Sequence, residues 1–265
     1  TMLKGEVSRG ELELDTLRQE AHRRRSRLES LREIETRYES FQRGVRAVMQ
    51  KWKGGGEPGT DTAGQVTWSP NAVRGLVADI VQPPPELETA VEAVLGDRLG
   101  NVIVESHDVG VEAIEYLKQQ SEGRSSFIPV ELRDLHRPSS FSSDGLATME
   151  ASPSVHVNPD WPTGEGVRGP MLELIGYDRQ YDKVASYLLG DVVVVEDLRK
   201  ALSLWRETRT ERTIVTLDGE VIDPQGVVTG GSRDSAAAGV LSQKREIREL
   251  EEVVARIEAD QAAAM

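Results

Sequence analysis

The sequence predicts an α/β (α+β) protein in which two similar mixed-sheet halves lie between two helical arms. Apolar residues recur at three- and four-residue steps near both ends of the 265-residue chain, which is the pattern of a coiled coil. In the middle, short apolar runs alternate with helical patterns, which indicates mixed sheets covered by helices. A glycine-rich segment, residues 226–232, precedes the second arm and is the most informative feature of the chain.

The first arm carries an apolar seam from Leu3 to Trp52, with mostly Glu, Arg, Ser and Gln between the seam positions. A seam of about fifty residues predicts a coiled-coil helix. The step from Leu31 to Ile34 is one residue short of the expected four, which predicts local overwinding of the supercoil. An amphipathic helix that packs on its own domain is the alternative interpretation of the same stripe.

The second arm shows the same pattern from Val240 to Ala264. Two arms of one chain that flank a globular region can pair only antiparallel, because the chain arrives along one arm and leaves along the other. The first arm is the longer, so we expect part of its seam to lack a partner. Both ends of the sequence fall inside helical patterns, from which we expect a piece of a longer protein.

The central region predicts two α/β halves. In the first half we expect strands at residues 75–81, 101–105 and 125–130, with helices at 84–99 and 109–120. In the second half we expect helices at 178–189 and 198–206, a strand at 191–196, and the glycine-bearing strands after them. In the second half, Asp218-Gly219 is typical of a hairpin turn, since glycine supplies the positive φ.

Two stretches rich in Gly, Pro, Ser and Asn interrupt these patterns and are typical of linkers. The predicted organisation is a first coiled-coil arm (1–52), a flexible linker (53–70), a first subdomain (71–136), an irregular connection (137–169), a second subdomain (170–235) and a second coiled-coil arm (240–265).

Composition limits the function classes. The net charge of -13 argues against a dominant nucleic-acid binder. The absence of cysteine excludes disulfides, thiolate metal sites and a cysteine nucleophile. No apolar run is long enough for a membrane span, so we expect no membrane association. The histidines are scattered without metal-ligand spacing, and no nucleotide-binding phosphate loop occurs, so we expect no catalytic residues, no metal and no cofactor.

The glycine segment leaves two interpretations open. Glycine allows positive φ and close approach of another backbone, so residues 226–232 could receive either a phosphate group or another strand. A phosphate site of this kind normally sits at a helix N-terminus. Here a tether from Arg233 to Gly239 follows instead, which weakens the phosphate interpretation. An α/β nucleotide- or phosphate-binding enzyme therefore remains the alternative function.

Several short stretches, in this order between two heptad arms, resemble the hinge domain of structural maintenance of chromosomes (SMC) proteins of bacterial type. They are residues 44–48, 75–79, 95–104, 123–129, 187–191, 216–220 and 226–232. The resemblance implies a ring-shaped homodimer in which strand edges of both subdomains pair with the partner. It implies a chromosome-organising, condensin-type ATPase whose ATP-binding heads lie outside this chain, so the chain itself is expected not to be an enzyme.

The resemblance also implies site residues and partners. The expected dimer interface comprises Gly219, Gly226, Val227, Val228, Thr229, Gly230 and Gly231. Weak DNA binding is expected near the junction with the arms, at Lys51, Lys53, Arg233, Lys244, Arg245 and Arg248, although ordinary coil charge pairs are the alternative there. Kleisin and accessory subunits would bind elsewhere on the full-length protein. The expected location is the cytoplasm, associated with the nucleoid.

Overall fold

The structure of the chain is a computed structural model that describes residues 2–38, 41–53, 69, 71–133, 161–208, 210–231 and 239–263, with side chains from residue 19 to residue 259. The helices are α1 Met2–Arg37, α2 Arg43–Lys53, α3 Val77–Ile80, α4 Glu88–Leu95, α5 His107–Gln120, α6 Met171–Leu174, α7 Asp182–Leu189, α8 Leu198–Thr208 and α9 Val240–Ala263. The strands are β1 Val73–Leu76, β2 Val102–Val104, β3 Phe127–Pro129, β4 Val167–Pro170, β5 Val192–Val195, β6 Thr213–Thr216, β7 Val221–Ile222 and β8 Val228–Thr229. No helix among the described residues has the length and apolar character to cross a membrane.

The two halves repeat one arrangement of strands. The first sheet has the order β1-β2-β3, with β1 antiparallel and β3 parallel to β2. The second sheet starts with the same arrangement, β4-β5-β6, and then continues with the antiparallel strands β7 and β8. Both first strands contain a register shift at a glycine of positive φ, Gly75 at 125° and Gly169 at 123°. The predicted mixed α/β fold with two similar halves is confirmed.

A symmetric backbone contact joins the halves. The Gln82 N–H donates to the Gly176 carbonyl at 2.8 Å, and the Gly176 N–H donates to the Gln82 carbonyl at 2.9 Å. Gln82 follows Gly75 by as many residues as Gly176 follows Gly169, so the contact joins equivalent positions. The halves are therefore related by an approximate twofold axis, and one buried apolar cluster contains side chains of both.

One predicted strand is shorter than expected. Residues 75–81 were expected to form a single strand, but β1 ends at Leu76 and helix α3 follows. The Asp79 carboxylate accepts a hydrogen bond from the Leu76 N–H at 2.7 Å, which stabilises a helical turn at this point. The apolar run thus contains two elements, which side-chain hydrophobicity alone does not distinguish.

The arms α1 and α9 pack on each other antiparallel. Leu28 and Leu31 of α1 are buried against Ile247 of α9. Exposed ion pairs flank this seam, and Arg27 contacts Glu246 through two hydrogen bonds of 2.9 and 3.1 Å. Exposed pairs contribute little stability, so the buried apolar seam holds the arms together.

The first arm is in two pieces. Helix α1 ends at Arg37, and Tyr38 takes a φ of +51°, which is rare for a bulky residue. Helix α2 packs on the first sheet, where Val48 and Met49 are almost fully buried. An added Cβ at Gly44 of α2 would lie 2.3 Å from the Arg124 carbonyl oxygen, which shows how closely α2 approaches the loop before β3. For α2, the alternative interpretation, a helix packed on its own domain, is the one observed.

The remaining predicted boundaries stay predictions. Residues 54–68, 134–160 and 232–238 lie outside the described residues, and so do most of both predicted linkers and Arg233. The end of the expected irregular connection overlaps β4, which starts at Val167 and pairs with β5. Near this connection the guanidinium of Arg212 lies 3.7 Å from the centre of the Trp161 ring, a cation–π contact.

Candidate functional site

The glycine-rich segment forms the last hairpin of the second sheet. Strand β7 leads into a turn in which the Gly226 N–H donates to the Asp223 carbonyl at 2.9 Å. Gly226 has a φ of +89°, a region that favours glycine. The Asp223 carboxylate accepts from the Val227 N–H at 2.9 Å and so fixes the start of β8. The position of β8 therefore depends on the Asp-to-Gly turn.

Three of the four predicted interface glycines lie against side chains of their own chain, two of them against helices. An added Cβ at Gly226 would lie 2.5 Å from the Trp205 ring, whose Nε1–H donates to the Pro224 carbonyl at 3.3 Å. An added Cβ at Gly219, whose φ is +90°, would lie 3.0 Å from Thr89 Cγ2 on α4. Close packing within the chain thus accounts for the lack of a side chain at Gly226 and at Gly219. Their assignment to a subunit interface stays a prediction.

Strand β8 leaves one edge open. Val227 and Val228 are 59% and 49% exposed, and no strand among the described residues pairs with the side of β8 that faces away from β7. The Val227 carbonyl accepts from the Asp223 N–H at 3.1 Å and so points toward β7. Since successive strand residues point their amides to opposite sides, the N–H and C=O of Val228 point to the open edge.

The last two glycines differ from each other. An added Cβ at Gly230 would lie 2.8 Å from Cγ of Glu220, which lies between β6 and β7. At Gly231 the φ is +123° and no described atom lies within 4 Å of an added Cβ. Gly231 thus has a backbone conformation that favours glycine, and no described side chain packs on it.

Strand β3 has a second open edge. The Ser126 carbonyl accepts from Val102 N–H and the Val130 N–H donates to Val104, each at 2.9 Å, so these residues point toward β2. By the alternation of a strand, Phe127 points its N–H and C=O outward. Pro129 has no N–H, which restricts pairing at that end of the edge.

A groove of about 640 Å³ lies beside this edge. Residues of both halves line it, and among them Tyr187 of α7 is 62% exposed. The buried Ser125 hydroxyl lacks a hydrogen-bond partner among the described atoms. An open strand edge, an exposed aromatic ring and a polar atom without a partner are features of a surface that is completed by another molecule.

The predicted basic site divides into two parts. The Lys244 Nζ lies 2.7 Å from Glu35 Oε1 of α1 and 2.5 Å from Asp79 Oδ1 of α3. Burial lowers the pKa of Lys244, but the two carboxylates outweigh burial and raise that pKa above its ordinary value. Arg245 Nε donates a hydrogen bond to Glu88 Oε1 at 2.6 Å, and this bond is the main cause of the raised pKa of Arg245. Both charges are therefore engaged within the chain.

The other described residues of the predicted basic site lie on α2 and one turn further along α9. Lys51 and Lys53 are at the end of α2, with Lys51 half-buried and Lys53 exposed, and the Lys53 ammonium lies 4.9 Å from the centre of the Tyr38 ring. Arg248 is half-buried on α9. Tyr38 and Lys244 line one cavity at the base of the arms, so Lys53 lies near Lys244, whose charge is already shared by Glu35 and Asp79.

The base of α9 contains contacts that the sequence did not indicate. The buried Glu92 carboxylate accepts from the Gly239 and Leu241 N–H groups, each at 3.0 Å, and so caps the start of α9. Glu92 and Asp79, like Glu35, are far from α9 in sequence. A charged residue in a helical pattern is normally solvent-exposed, so no local signal marks these partners.

Two alternative kinds of site, a metal site and a phosphate site, can be compared with the described residues. The described residues contain no cluster of His, Asp and Glu side chains that could hold a metal ion. Among the described residues, the helix that follows the glycine segment is α9, which starts at Val240. The described part of this region therefore places no helix N-terminus beside Gly230 and Gly231, where a phosphate site of this kind would need one.

Comparison with known proteins identifies the family. The family model for the flexible hinge domain of SMC proteins matches residues 70–205. The chain is 38% identical over 258 residues to the chromosome partition protein Smc of Myxococcus xanthus, covering 97% of this chain and 19% of that protein. It is 30% identical over 224 residues to the Smc protein of Methanocaldococcus jannaschii, covering 84% of this chain and 16% of that protein.

A solved structure shows the same architecture. The asymmetric dimer of the Geobacillus stearothermophilus SMC hinge domain matches with a TM-score of 0.66 and 26% identity, covering 98% of this chain and 95% of that chain. The chain spans about a fifth of the length of the curated relatives it matches. Because the family model covers more than half of the sequence, the chain belongs to the family of SMC flexible hinge domains.

Proposed function

We propose that the chain is the dimerisation hinge of a chromosome-organising, condensin-type SMC ATPase, and that it joins two long coiled-coil arms for chromosome condensation and segregation. The observation that carries this proposal is that β3 and β8, the last strands of the two sheets, each have an edge that no described strand pairs with. Open edges of this kind promote pairing with another chain unless they are covered. Two subunits related by a twofold axis can cover both edges of both subunits at once.

The approximate symmetry within the chain indicates how the edges pair. Strand β6 takes in the second half the place that β3 takes in the first, and β7 covers the outer edge of β6. In the proposed dimer, β8 of one subunit covers β3 of the partner in the way that β7 covers β6. Val228 would then exchange backbone hydrogen bonds with Phe127 of the partner subunit, since both present an outward N–H and C=O.

The relatives support this proposal. The Geobacillus stearothermophilus hinge domain is described as a dimer, and the relatives are chromosome partition proteins. The ATPase heads, the kleisin and the accessory subunits belong to the full-length protein, of which this chain is the hinge and the base of the arms. A cytoplasmic, nucleoid-associated location follows from the same proposal. The glycine segment gives no support to the alternative enzyme, because Gly226 packs on Trp205 rather than facing a ligand site.

The solution mass of the purified chain tests the proposal directly. We expect sedimentation and light scattering to give twice the chain mass of 29.2 kDa at micromolar concentration, without added ligand. Two interfaces of roughly standard size, about 1,600 Å² each, would act together in one dimer. A chain that is only monomeric at tens of micromolar would contradict the hinge function.

Weak DNA binding is a second proposed function, supported by the charge of α2. This helix contains Arg43, Arg46, Lys51 and Lys53 and no acidic residue, in a chain of net charge -13. Arg43 pairs with Glu122 at 2.7 Å, so Arg46, Lys51 and Lys53 are the better candidates for phosphate contacts. Lys244 and Arg245, by contrast, form ion pairs within the chain at the base of the arms.

The salt dependence of binding to a short DNA duplex tests this assignment. Lys51→Glu and Lys53→Glu are each expected to reduce the slope of log K against log salt by about 0.9, since each removes one phosphate contact. Lys183→Glu makes the same charge change at an exposed position of α7 and is expected to leave the slope unchanged. Equal slopes for the three variants would remove α2 from the DNA-binding surface.

A further inference from the structure

The groove beside β3 and a second, smaller cavity share one side chain. The second cavity, of about 20 Å³, lies at the base of the arms, where it is lined by Ile34 and Tyr38 of the first arm and Val240 and Ile247 of α9. Phe41, in the break between α1 and α2, lines both this cavity and the groove. It is therefore the wall between the base of the arms and the proposed position of the partner strand.

Phe41 is in contact on both sides. Toward the arms, its N–H donates to the Tyr38 carbonyl at 3.0 Å, and the two ring centres are 6.4 Å apart. Toward the groove, its ring packs against Gly100, where an added Cβ would lie 3.0 Å from the Phe41 Cδ1 atom. Because packed side chains of this kind transmit displacements rather than absorb them, movement on one side of Phe41 reaches the other.

The residue that connects Phe41 to the first arm has an unusual backbone. Tyr38 is buried and takes a φ of +51° immediately after α1 ends. This conformation is costly for a bulky side chain, so it depends on the packing around it. Burial raises the pKa of the Tyr38 phenol, and the negative charge of the Asp79 carboxylate raises it further. The phenol therefore stays neutral at the base of the arms. A change in the packing of α1 on α9 would alter the position of Tyr38 and, with it, that of Phe41.

We propose that Phe41 couples the packing of the two arms to the affinity of the groove for the partner strand. This proposal rests on the hinge function, because the occupant of the groove is β8 of a second copy of the chain. Coupling of this kind is reciprocal: closed arms favour dimerisation, and an occupied groove favours closed arms. A change in the packing of the arms would then alter the affinity of the interface through one aromatic side chain.

A double-mutant cycle tests the coupling. Leu28 is buried in the arm seam and lines neither cavity, so Leu28→Asp is expected to open the arms without replacing a residue that lines the groove. We expect this variant to raise the dimer dissociation constant at least about fivefold, the lower end of typical coupling. In a Phe41→Ala background, Leu28→Asp is expected to have no further effect. Dissociation constants are measured by sedimentation velocity across concentration.

A control cycle uses Val45, which lines the groove but not the arm-base cavity. In a Val45→Ala background the effect of Leu28→Asp is expected to persist. Phe41→Leu keeps an apolar side chain of intermediate size, and it replaces Phe41→Ala if circular dichroism shows that the alanine variant does not fold. The coupling is overturned if Leu28→Asp raises the dimer dissociation constant equally in the wild-type and Phe41→Ala backgrounds. It is also overturned if Leu28→Asp leaves the dissociation constant of the otherwise wild-type chain unchanged. A wild-type chain that never dimerises overturns the hinge function instead.

Discussion

Replacing Val228 with proline is expected to convert the dimer into a folded monomer. The Val228 N–H points to the open edge of β8, so proline removes a hydrogen bond to the partner and none to β7. The proline ring also occupies space at the edge where the partner strand would lie. The change occurs twice in a twofold dimer, and we expect the dissociation constant to rise at least about 100-fold, or about 1.4 kcal/mol at each interface.

Sedimentation and circular dichroism on the same sample separate the outcomes of this experiment. Val228→Thr keeps the β-branched shape and the N–H, and it is expected to remain a dimer. A dimer of undiminished affinity in Val228→Pro would remove β8 from the interface. An unfolded chain would mean that β8 is needed for the fold of the monomer rather than for pairing.

The glycines of this hairpin call for separate treatment in any further test of the interface. Gly226 packs on Trp205, so a larger residue there would disturb the fold before it reached the partner. Gly231 faces open space and is the better position at which to probe the edge, although its φ of +123° adds backbone strain to any substitution.

Replacing Lys244 with glutamate is expected to destabilise the base of the arms. The new carboxylate would lie beside Asp79 and Glu35, which now share the buried ammonium group. Loss of a buried charge partner costs about 3–5 kcal/mol, and we take about 3 kcal/mol because both carboxylates are partly exposed. For a domain of this size we expect the Tm to fall by on the order of 6–12 °C.

Thermal unfolding at one fixed protein concentration measures this effect, since dimerisation also raises the Tm. Arg256→Glu makes the same charge reversal at an exposed position of α9 and is expected to change the stability by less than about 0.5 kcal/mol. Equal Tm values for the two variants would contradict a structural role of Lys244. Reduced DNA binding by a Lys244 variant would therefore need a stability measurement beside it before it is assigned to lost phosphate contacts.

The pH dependence of Lys244 has a definite sign. Its pKa is raised in the folded chain, so its stabilising contribution is fully present below the unfolded value of about 10.4 and is lost as the pH rises through the folded value. The difference in stability between the wild-type chain and Lys244→Met is thus expected to be constant from about pH 7 to pH 9 and to shrink above about pH 10.4.

The sequence by itself determined the features that have a local signal. The apolar seam through Leu28 and Leu31 predicted the coiled-coil arms, because a heptad repeat of this length is typical of a helix that buries its stripe against a second helix. The alternation of strands and helices fixed the α/β class. Asp218-Gly219 marked the turn before β7, because few residues other than glycine take a φ of +90° without strain. Each of these signals lies within a few residues of the element that it specifies.

Only the tertiary structure decided the features that depend on residues far apart in the chain. The heptad pattern continues past Tyr38, but α2 leaves the arm, and its Val48 and Met49 are buried against the first sheet. The sequence predicts that Lys244 contacts DNA or forms an ordinary charge pair along the coil, whereas its partners Asp79 and Glu35 lie more than a hundred residues away. The glycines cannot be told apart in the sequence, yet Gly226 packs against Trp205 whereas Gly231 faces solvent. A local sequence pattern carries no information on which distant side chain packs against a given glycine.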